Sequence, residues 1–315
     1  MVRVKIDELS FEECKDLARL TISTRKGTPL ESSRGVDEIA KGIESLSTSD
    51  EYRILTVYEN GSIVGWLYYY VAFPLMTFIS GFYPVVDLRS KKFAHALIEA
   101  AKVDTVERDH SRLEIELELP SDSHRQHSRG IVDLYRECGF QFAAEEIHMN
   151  SDLSTIELPE IKQPQECILR EFSEVPYDRL EGPAFQTLKD SKEGLFLSQS
   201  PPEQKVTIEY FFNKANPYID DASLILERDG EVIGFIITRI GDDGEPDIGP
   251  VGLVPKARGQ GLASFLLVKV LEILKDSGST SVCLDTTITN HPAQKLYRKY
   301  GFEDEYYKQF YYWSP

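Results

Sequence analysis

Residues 258–264 form a basic, glycine-rich segment that could bind an anion. An apolar run ends at Pro255, and an amphipathic helix is predicted to begin close to Gly261. The start of a helix exposes backbone N–H groups and the positive end of the helix dipole, so it attracts negative charge. Gly259 and Gly261 have no Cβ that would keep a phosphate away from the backbone. The segment therefore predicts a loop that holds a pyrophosphate.

Two common phosphate loops do not fit this segment. A Walker loop needs a lysine followed by serine or threonine after its second glycine, and neither follows Gly261. A dinucleotide fingerprint needs three spaced glycines with an acidic residue further on, and the spacing here fails at the first glycine. The pattern that remains is Arg-x-x-Gly-x-Ala over residues 258–263.

A second patterned stretch covers residues 290–302 and is predicted to be a short helix. Pro292 suits a first helical turn, and Gly301 suits a helix end. Leu296 and Tyr297 share one face of such a helix with Ala293. The stretch therefore places one tyrosine on the inner face of a capped helix, about thirty residues after the glycine-rich loop.

Together the two stretches resemble the two signatures of the GNAT N-acetyltransferase superfamily. Arg-x-x-Gly-x-Ala is similar to its acetyl-CoA loop, and Asn-x-x-Ala-x-x-Leu-Tyr-x-x-x-Gly-Phe matches its second signature at each defined position. The resemblance implies a mixed α/β fold with a mixed sheet, acetyl-CoA as co-substrate and no metal. It also implies direct transfer of an acetyl group to an amine, without an acyl-enzyme.

The resemblance also implies roles for individual residues. The strand edge at Val251 and Leu253 would pair with the pantetheine arm, and Asn290 would hydrogen-bond the same arm. Tyr297 would be the general acid, because the pKa of a phenol is close enough to that of a thiol to protonate the departing thiolate. The backbone amides that hold the pyrophosphate would be those of Arg258, Gly259, Gln260, Gly261, Leu262, Ala263 and Ser264.

The general base is predicted with less support from the residues. Asp247 lies eleven residues before Arg258, where several GNAT members have a carboxylate, and it could take the proton directly or through water. Asp247 could equally be an ordinary turn residue in the acidic segment 242–247. Glu245 and Asp285 are further candidates, and a water chain without a fixed base is another possibility.

The chain also contains an internal repeat. Residues 134–140 echo 296–302, and residues 85–94 echo 253–263 with Arg89 opposite Arg258. Two hairpins with a glycine turn, over 52–66 and 222–235, repeat as well. The sequence therefore predicts two tandem GNAT-like units, an arrangement that resembles that of the mycothiol synthase family.

The two predicted units are not equivalent. Lys92 takes the place of Gly261, and residues 85–94 contain no glycine. Ser128 takes the place of Asn290, and Phe78 that of Asp247. We therefore expect a degenerate domain over 1–153, a linker over 154–165 and a domain with the acetyl-CoA site over 166–315. The alternative is a weak cofactor site in the first unit that uses Lys91 and Lys92 as point charges.

Composition sets the broader expectations. The 315 residues carry a net charge of −17, which disfavours nucleic acids and anionic membranes as partners. Four scattered cysteines and the lack of a long apolar run favour a cytoplasmic protein. A monomer or a homodimer is expected. His124 and His127 are expected in a solvated loop rather than a zinc site.

The acceptor is expected to be a small-molecule amine. The alternatives are a protein acceptor and a non-catalytic acyl-CoA-binding module.

Overall fold

A computed structural model describes residues 3–6, 9–87, 91–191, 193–241 and 244–315. In these ranges the first half of the chain contains β1 (Arg3–Ile6), α1 (Phe11–Arg25), α2 (Val36–Ser47), β2 (Tyr52–Glu59), β3 (Ser62–Tyr70), β4 (Met76–Ser80), β5 (Val85–Val86), α3 (Lys91–Glu107), β6 (Arg112–Leu119), α4 (Asp122–Glu137) and β7 (Gln141–Asp152). The second half contains β8 (Cys167–Glu171), α5 (Tyr177–Asp190), α6 (Gly194–Leu197), α7 (Pro201–Phe211), β9 (Leu224–Arg228), β10 (Glu231–Ile240), β11 (Pro246–Leu253), α8 (Leu262–Asp276), β12 (Ser281–Thr287), α9 (His291–Lys299) and β13 (Glu303–Trp313). The predicted mixed α/β class is confirmed.

The chain folds into two compact units. One contains Met1–Ala143 and Lys308–Pro315, and the other contains Ala144–Tyr307. These bounds differ from the predicted domains 1–153 and 166–315. Residues 146–152 of β7 pair with β12 in antiparallel register and so belong to the second unit. The end of β13 belongs to the first unit, where the Arg112 guanidinium stacks on the ring of Tyr312.

In the second unit the strand order is β7-β12-β11-β10-β9-β8. Helices α8 and α9 cover one face, with a core that includes Ile236, Leu266 and Leu284. Helices α5 and α7 cover the other face around Phe235 and Ile237. The alternation of β10 side chains, which are buried on both faces, explains why this strand appears in the sequence as a continuous apolar run.

Helix α5 lies directly on β11 at a glycine. A Cβ built on Gly252 would come within 2.2 Å of the Thr187 Cγ2 atom, so only glycine allows this approach. The contact fixes the end of α5, and the turn that follows it, against the strand that leads into the glycine-rich loop.

In the first unit the order is β1-β2-β3-β4-β6-β13, and β5 pairs separately with β3. Helices α1 and α2 pack on this sheet around Leu17, Ile43 and Trp66. His124 and His127 lie within α4 rather than in the expected loop. The reason is local, because the Ser121 hydroxyl accepts a hydrogen bond from the His124 backbone amide and caps a helix there.

Candidate active site

The glycine-rich loop has the backbone geometry of an anion site. Gly259 and Gly261 have φ angles of 73° and 76°, in the left-handed region that favours glycine. A Cβ built on either one would have no atom within 4 Å, so the space beside both is open. Gly261 is the N-cap of α8, and the Phe265 amide donates to its carbonyl at 3.0 Å. The amides of residues 262–264 precede this bond and have no acceptor within the helix.

The side chains of Arg258 and Gln260 form hydrogen bonds and an ion pair that stabilise the loop. The Arg258 Nε donates to the Leu253 carbonyl at 3.0 Å, and its Nη1 lies 3.8 Å from the Asp190 carboxylate. Gln260 accepts from Arg228 at 2.9 Å and donates to the Lys256 carbonyl. Contact with an anion would therefore fall mainly to the backbone, but not to the Arg258 amide, which donates to the Pro255 carbonyl at 3.2 Å. The assignment of the other amides of the loop to a pyrophosphate stays a prediction.

The first turn of α8 turns its side chains inward. Leu262 is buried in the core, and Ala263 packs against that core. The Ser264 side chain hydrogen-bonds the Tyr300 phenol, which also accepts from the Lys299 ammonium at 3.1 Å. Burial raises the pKa of Tyr300, but these two hydrogen bonds outweigh it and leave the pKa below its ordinary value. Helices α8 and α9 are thus joined beside the loop.

Strand β11 presents an open edge before the loop. β11 pairs with β12 in parallel at Asp247 and Cys283. All residues of both strands are described, and the other residues of β11 have no pair with β12. Along its other edge β11 pairs with β10, and this pairing contains a β-bulge. Ile248 pairs with Thr238 and Val251 with Ile236, so β11 has one extra residue between the two pairs. The edge at Val251 and Leu253 therefore has no pair with β12, and its pairing with the pantetheine arm stays a prediction.

Asn290 and Tyr297 both lie on α9. The Asn290 carbonyl oxygen accepts from the Ala293 amide as the helix N-cap, at 3.4 Å. Its amide nitrogen donates to the Glu193 carboxylate at 3.2 Å. Asn290 is therefore already bound at both ends of its side chain, with one N–H left for a ligand. Its predicted role toward the pantetheine arm stays a prediction.

The Tyr297 side chain is buried beside Phe302. Burial raises the pKa of its phenol well above the ordinary range, and the negative charge of Glu193 raises it further. The phenol therefore stays protonated at neutral pH, although the raised pKa makes it a weaker acid than an ordinary tyrosine. Its role as the general acid stays a prediction.

The three carboxylates considered as bases have different partners. Asp247 lies opposite Arg239 in the β10–β11 register and next to Cys283 on β12. Because Ile248 belongs to the core under α8, Asp247 faces the side covered by α5. Glu245 accepts from the Ser281 hydroxyl at 2.5 Å. Asp285 lies 2.8 Å from His148 on β7, so it is held in a pair.

Glu193 is a site residue that the sequence did not predict. It precedes α6 in a polar turn, and nothing in its spacing marks it. Only the contact with Asn290, a residue 97 positions away in sequence, brings it to the site.

In the first unit the corresponding positions are occupied differently. Lys91 pairs with Glu137 at 2.6 Å and Lys92 with Glu59 at 2.7 Å, so both charges are compensated. The Tyr135 phenol donates to the Tyr83 carbonyl at 2.9 Å. Arg89 lies outside the described residues. A cavity of about 550 Å³ in this unit lies at the end of α1, with Arg25 and His127 in its wall.

Two further sequence expectations concern metals and membranes. Within the described ranges, no group of three His, Cys, Asp or Glu side chains is arranged to bind a metal ion. No described helix combines the length and the apolar character needed to cross a bilayer. All four cysteines are buried free thiols.

Comparisons with known proteins agree with this geometry. Residues 185–302 match the family model described as acetyltransferase (GNAT) family. A mycothiol acetyltransferase from Thermomonospora curvata is 32% identical over 162 residues, which is 50% of each chain. The chain thus spans about half the length of the curated mycothiol acetyltransferases it matches.

Two solved structures cover nearly the whole chain. A GCN5-related N-acetyltransferase from Sphaerobacter thermophilus superposes with a TM-score of 0.61 at 17% identity, over 99% of this chain and 95% of that one. A tandem GNAT protein from the clavulanic acid biosynthesis pathway gives 0.56 at 14% identity, over 100% and 98%. Residues 185–302 therefore form a domain of the GNAT acetyltransferase family, within a chain that has the fold of a tandem GNAT protein.

Proposed function

We propose that this protein is an acetyl-CoA-dependent N-acetyltransferase with one working site, in the second unit. The observation that carries the proposal is the open β11 edge, which leads directly into the left-handed glycines at the start of α8. An unpaired strand edge and glycines with open space beside them thus follow one another along the chain, which suits the pantetheine and pyrophosphate parts of coenzyme A.

The residues of the site supply the chemistry of direct transfer. Amides of residues 259–264 would hold the pyrophosphate, and the edge at Val251 and Leu253 would hold the pantetheine arm and orient the thioester. The amine nitrogen would form the new C–N bond as the C–S bond breaks. Tyr297 would give its proton to the thiolate, because burial keeps the phenol protonated until then.

We propose a small-molecule primary amine as the acceptor. Relatives named mycothiol acetyltransferase support this choice. Asp247 remains the base that the sequence predicts. The free buried thiols are consistent with a cytoplasmic location, which we include in the proposal.

The test is acetyl transfer by the purified chain. It would be incubated with acetyl-CoA and, in separate reactions, amino sugars, diamines, amino acids and a peptide with a free N-terminus. We expect thiol release and a gain of one acetyl group in a small amine. Acetylation of the peptide alone would identify a protein N-acetyltransferase, and CoA binding without transfer to any amine would identify a non-catalytic module.

A further inference from the structure

Glu193 lies beside the predicted acid and is not used by the mechanism above. It precedes α6, just after α5, whose last residues are fixed against β11 at Gly252 and tied to the loop by the Asp190–Arg258 ion pair. From there its carboxylate accepts a hydrogen bond from Asn290, the N-cap of α9. A segment on the α5 side of the sheet therefore delivers one carboxylate to the helix that carries Tyr297.

Burial raises the pKa of both Glu193 and Tyr297. Burial raises the pKa of the Glu193 carboxyl above its ordinary value, and the hydrogen bond from Asn290 offsets part of that shift. The pKa of Tyr297 is raised by burial and by the charge of Glu193. The Glu193 carboxyl is thus more basic than an ordinary glutamate and the Tyr297 phenol stays protonated, so one group can accept a proton and its neighbour can donate one.

The partner of Glu193 distinguishes it from the other carboxylates of the unit. Asn290 is a neutral amide, which orients a carboxylate without neutralising its charge. Asp285 is instead held by His148, and Asp247 lies opposite Arg239. Burial lowers the pKa of Arg239, and the negative charge of Asp247 opposes that shift, so the two charges interact. A carboxylate beside a guanidinium is a weaker base than one beside an amide.

We infer that Glu193 binds the acceptor as an ammonium ion and takes the proton that the nitrogen must lose before attack. This inference rests on the proposed function. The nitrogen lone pair then forms the bond to the acetyl carbon, and the C–S bond breaks. Tyr297 protonates the departing thiolate, and the phenolate recovers a proton from the new amide nitrogen. Glu193 releases its own proton to solvent, so one proton leaves for each acetyl group transferred.

Few titratable groups face Glu193 from the elements around it. Tyr297 faces it from α9, and the end of α5 contributes Asp190 in its pair with Arg258. Helix α6 has the sequence Gly-Leu-Phe-Leu and adds none. Glu203 of α7 is occupied in the capping box with Ser200. Lys192 lies outside the described residues. Glu193 is therefore the carboxyl whose ionisation should control the acidic limb of the rate profile.

The experiment compares Glu193→Gln with the wild-type protein, using acetyl-CoA and the best amine of the panel. We expect kcat/KM to fall by ~10²-fold or more, the size of a lost general base. Affinity for acetyl-CoA, measured by calorimetry, should be unchanged. Wild-type kcat/KM should rise with pH as the carboxyl ionises, at a higher pH than an ordinary glutamate would allow, and the variant should lack this limb.

Two variants guard against a merely structural effect. Glu231→Gln makes the same chemical change at an exposed position of β10 and should leave both rate and pH profile unaltered. Glu193→Ala should regain part of its rate when formate is added, because a small carboxylate can enter the vacated space. A structural role would give no recovery.

The outcomes separate this inference from the proposed function. An active wild type with a Glu193→Gln variant that keeps its rate and pH profile would overturn the role of Glu193 alone. Loss of the pH limb in Asp247→Asn, with none in Glu193→Gln, would assign the base to Asp247 instead. A wild type that binds acetyl-CoA but acetylates no amine would overturn both.

Discussion

The two units differ at the parallel strand pair in the middle of each sheet. In the first unit β4 and β6 pair at five successive positions, from Met76 with Arg112 to Ser80 with Glu116. In the second unit β11 and β12 pair at Asp247 with Cys283, and the rest of β11 is open toward β12. Ligand amides can join a sheet only at an edge that no strand occupies. The paired stretch of β4 corresponds to residues 245–249 at the start of β11, whereas the counterpart of the end of β11 is β5, which pairs with β3 and has no pair with β6 among the described residues.

The loops that follow these strands differ in the same direction. Left-handed glycines leave open space before α8, whereas two lysines begin α3 and pair with Glu137 and Glu59. The counterpart of Asp247 is Phe78, which packs edge-on against Phe73. Tyr135, the counterpart of Tyr297, donates to a backbone carbonyl. In the first unit, therefore, the side chains at these positions all have partners within the fold.

The largest expected effect is in Gly261→Lys, which copies Lys92 into the second unit. We expect CoA affinity to fall by ~100-fold or more, since lysine at a φ of 76° costs about 1–2 kcal/mol and its side chain occupies the space beside the amides. Calorimetric titration with CoA measures this loss of affinity.

The matched control for this change is Gly278→Lys. Gly278 has a φ of 90° and equally open space, but it follows the other end of α8. It should lose similar stability and keep its CoA affinity. Equal CoA affinity in both variants would contradict the assigned loop.

The next effect is in Tyr297→Phe. Removal of the phenol hydroxyl should lower kcat by ~10²-fold, because the thiolate then leaves without its proton donor. CoA affinity should not change, since backbone groups hold the cofactor. Steady-state kinetics with a separate binding titration test this, and unaltered turnover would remove Tyr297 from the acid role.

Tyr135→Phe makes the same change in the first unit and should have a smaller effect. It removes the 2.9 Å hydrogen bond to Tyr83, so we expect the free energy of unfolding to fall by about 1 kcal/mol. Turnover should stay at the wild-type value. Chemical denaturation and the acetyl-transfer assay measure the two quantities, and a large loss of kcat would show that the first unit takes part in catalysis.

The smallest expected effect is in Lys92→Gly. It frees Glu59 and restores one glycine, but Lys91 and its ion pair with Glu137 remain at the start of α3. We therefore expect CoA to bind with the same stoichiometry as in the wild type, one molecule for each chain. A second binding event in calorimetry would show that Lys92 alone blocks the first unit.

Much of the local structure was predictable from the sequence. The helix that ends before Gly301 and the helix that begins beside Gly261 both follow from capping and turn rules, which involve neighbouring residues. The internal repeat could also be recognised from neighbouring residues, because each copy contains a hairpin with its own glycine turn. The helix that contains His124 was missed because the polar composition of residues 121–129 obscured the serine cap.

The sequence by itself determined the mixed α/β class, the positions of the loop and of Tyr297, and the inequality of the two repeats, because these depend on residue types at short spacings. Only the tertiary structure decided which edge of β11 is open, which carboxylate reaches Asn290, and to which unit residues 146–152 and 308–313 belong. Each of these depends on pairing between residues far apart in the chain. Short-range patterns do not encode such pairings, because many partners satisfy the same local rules.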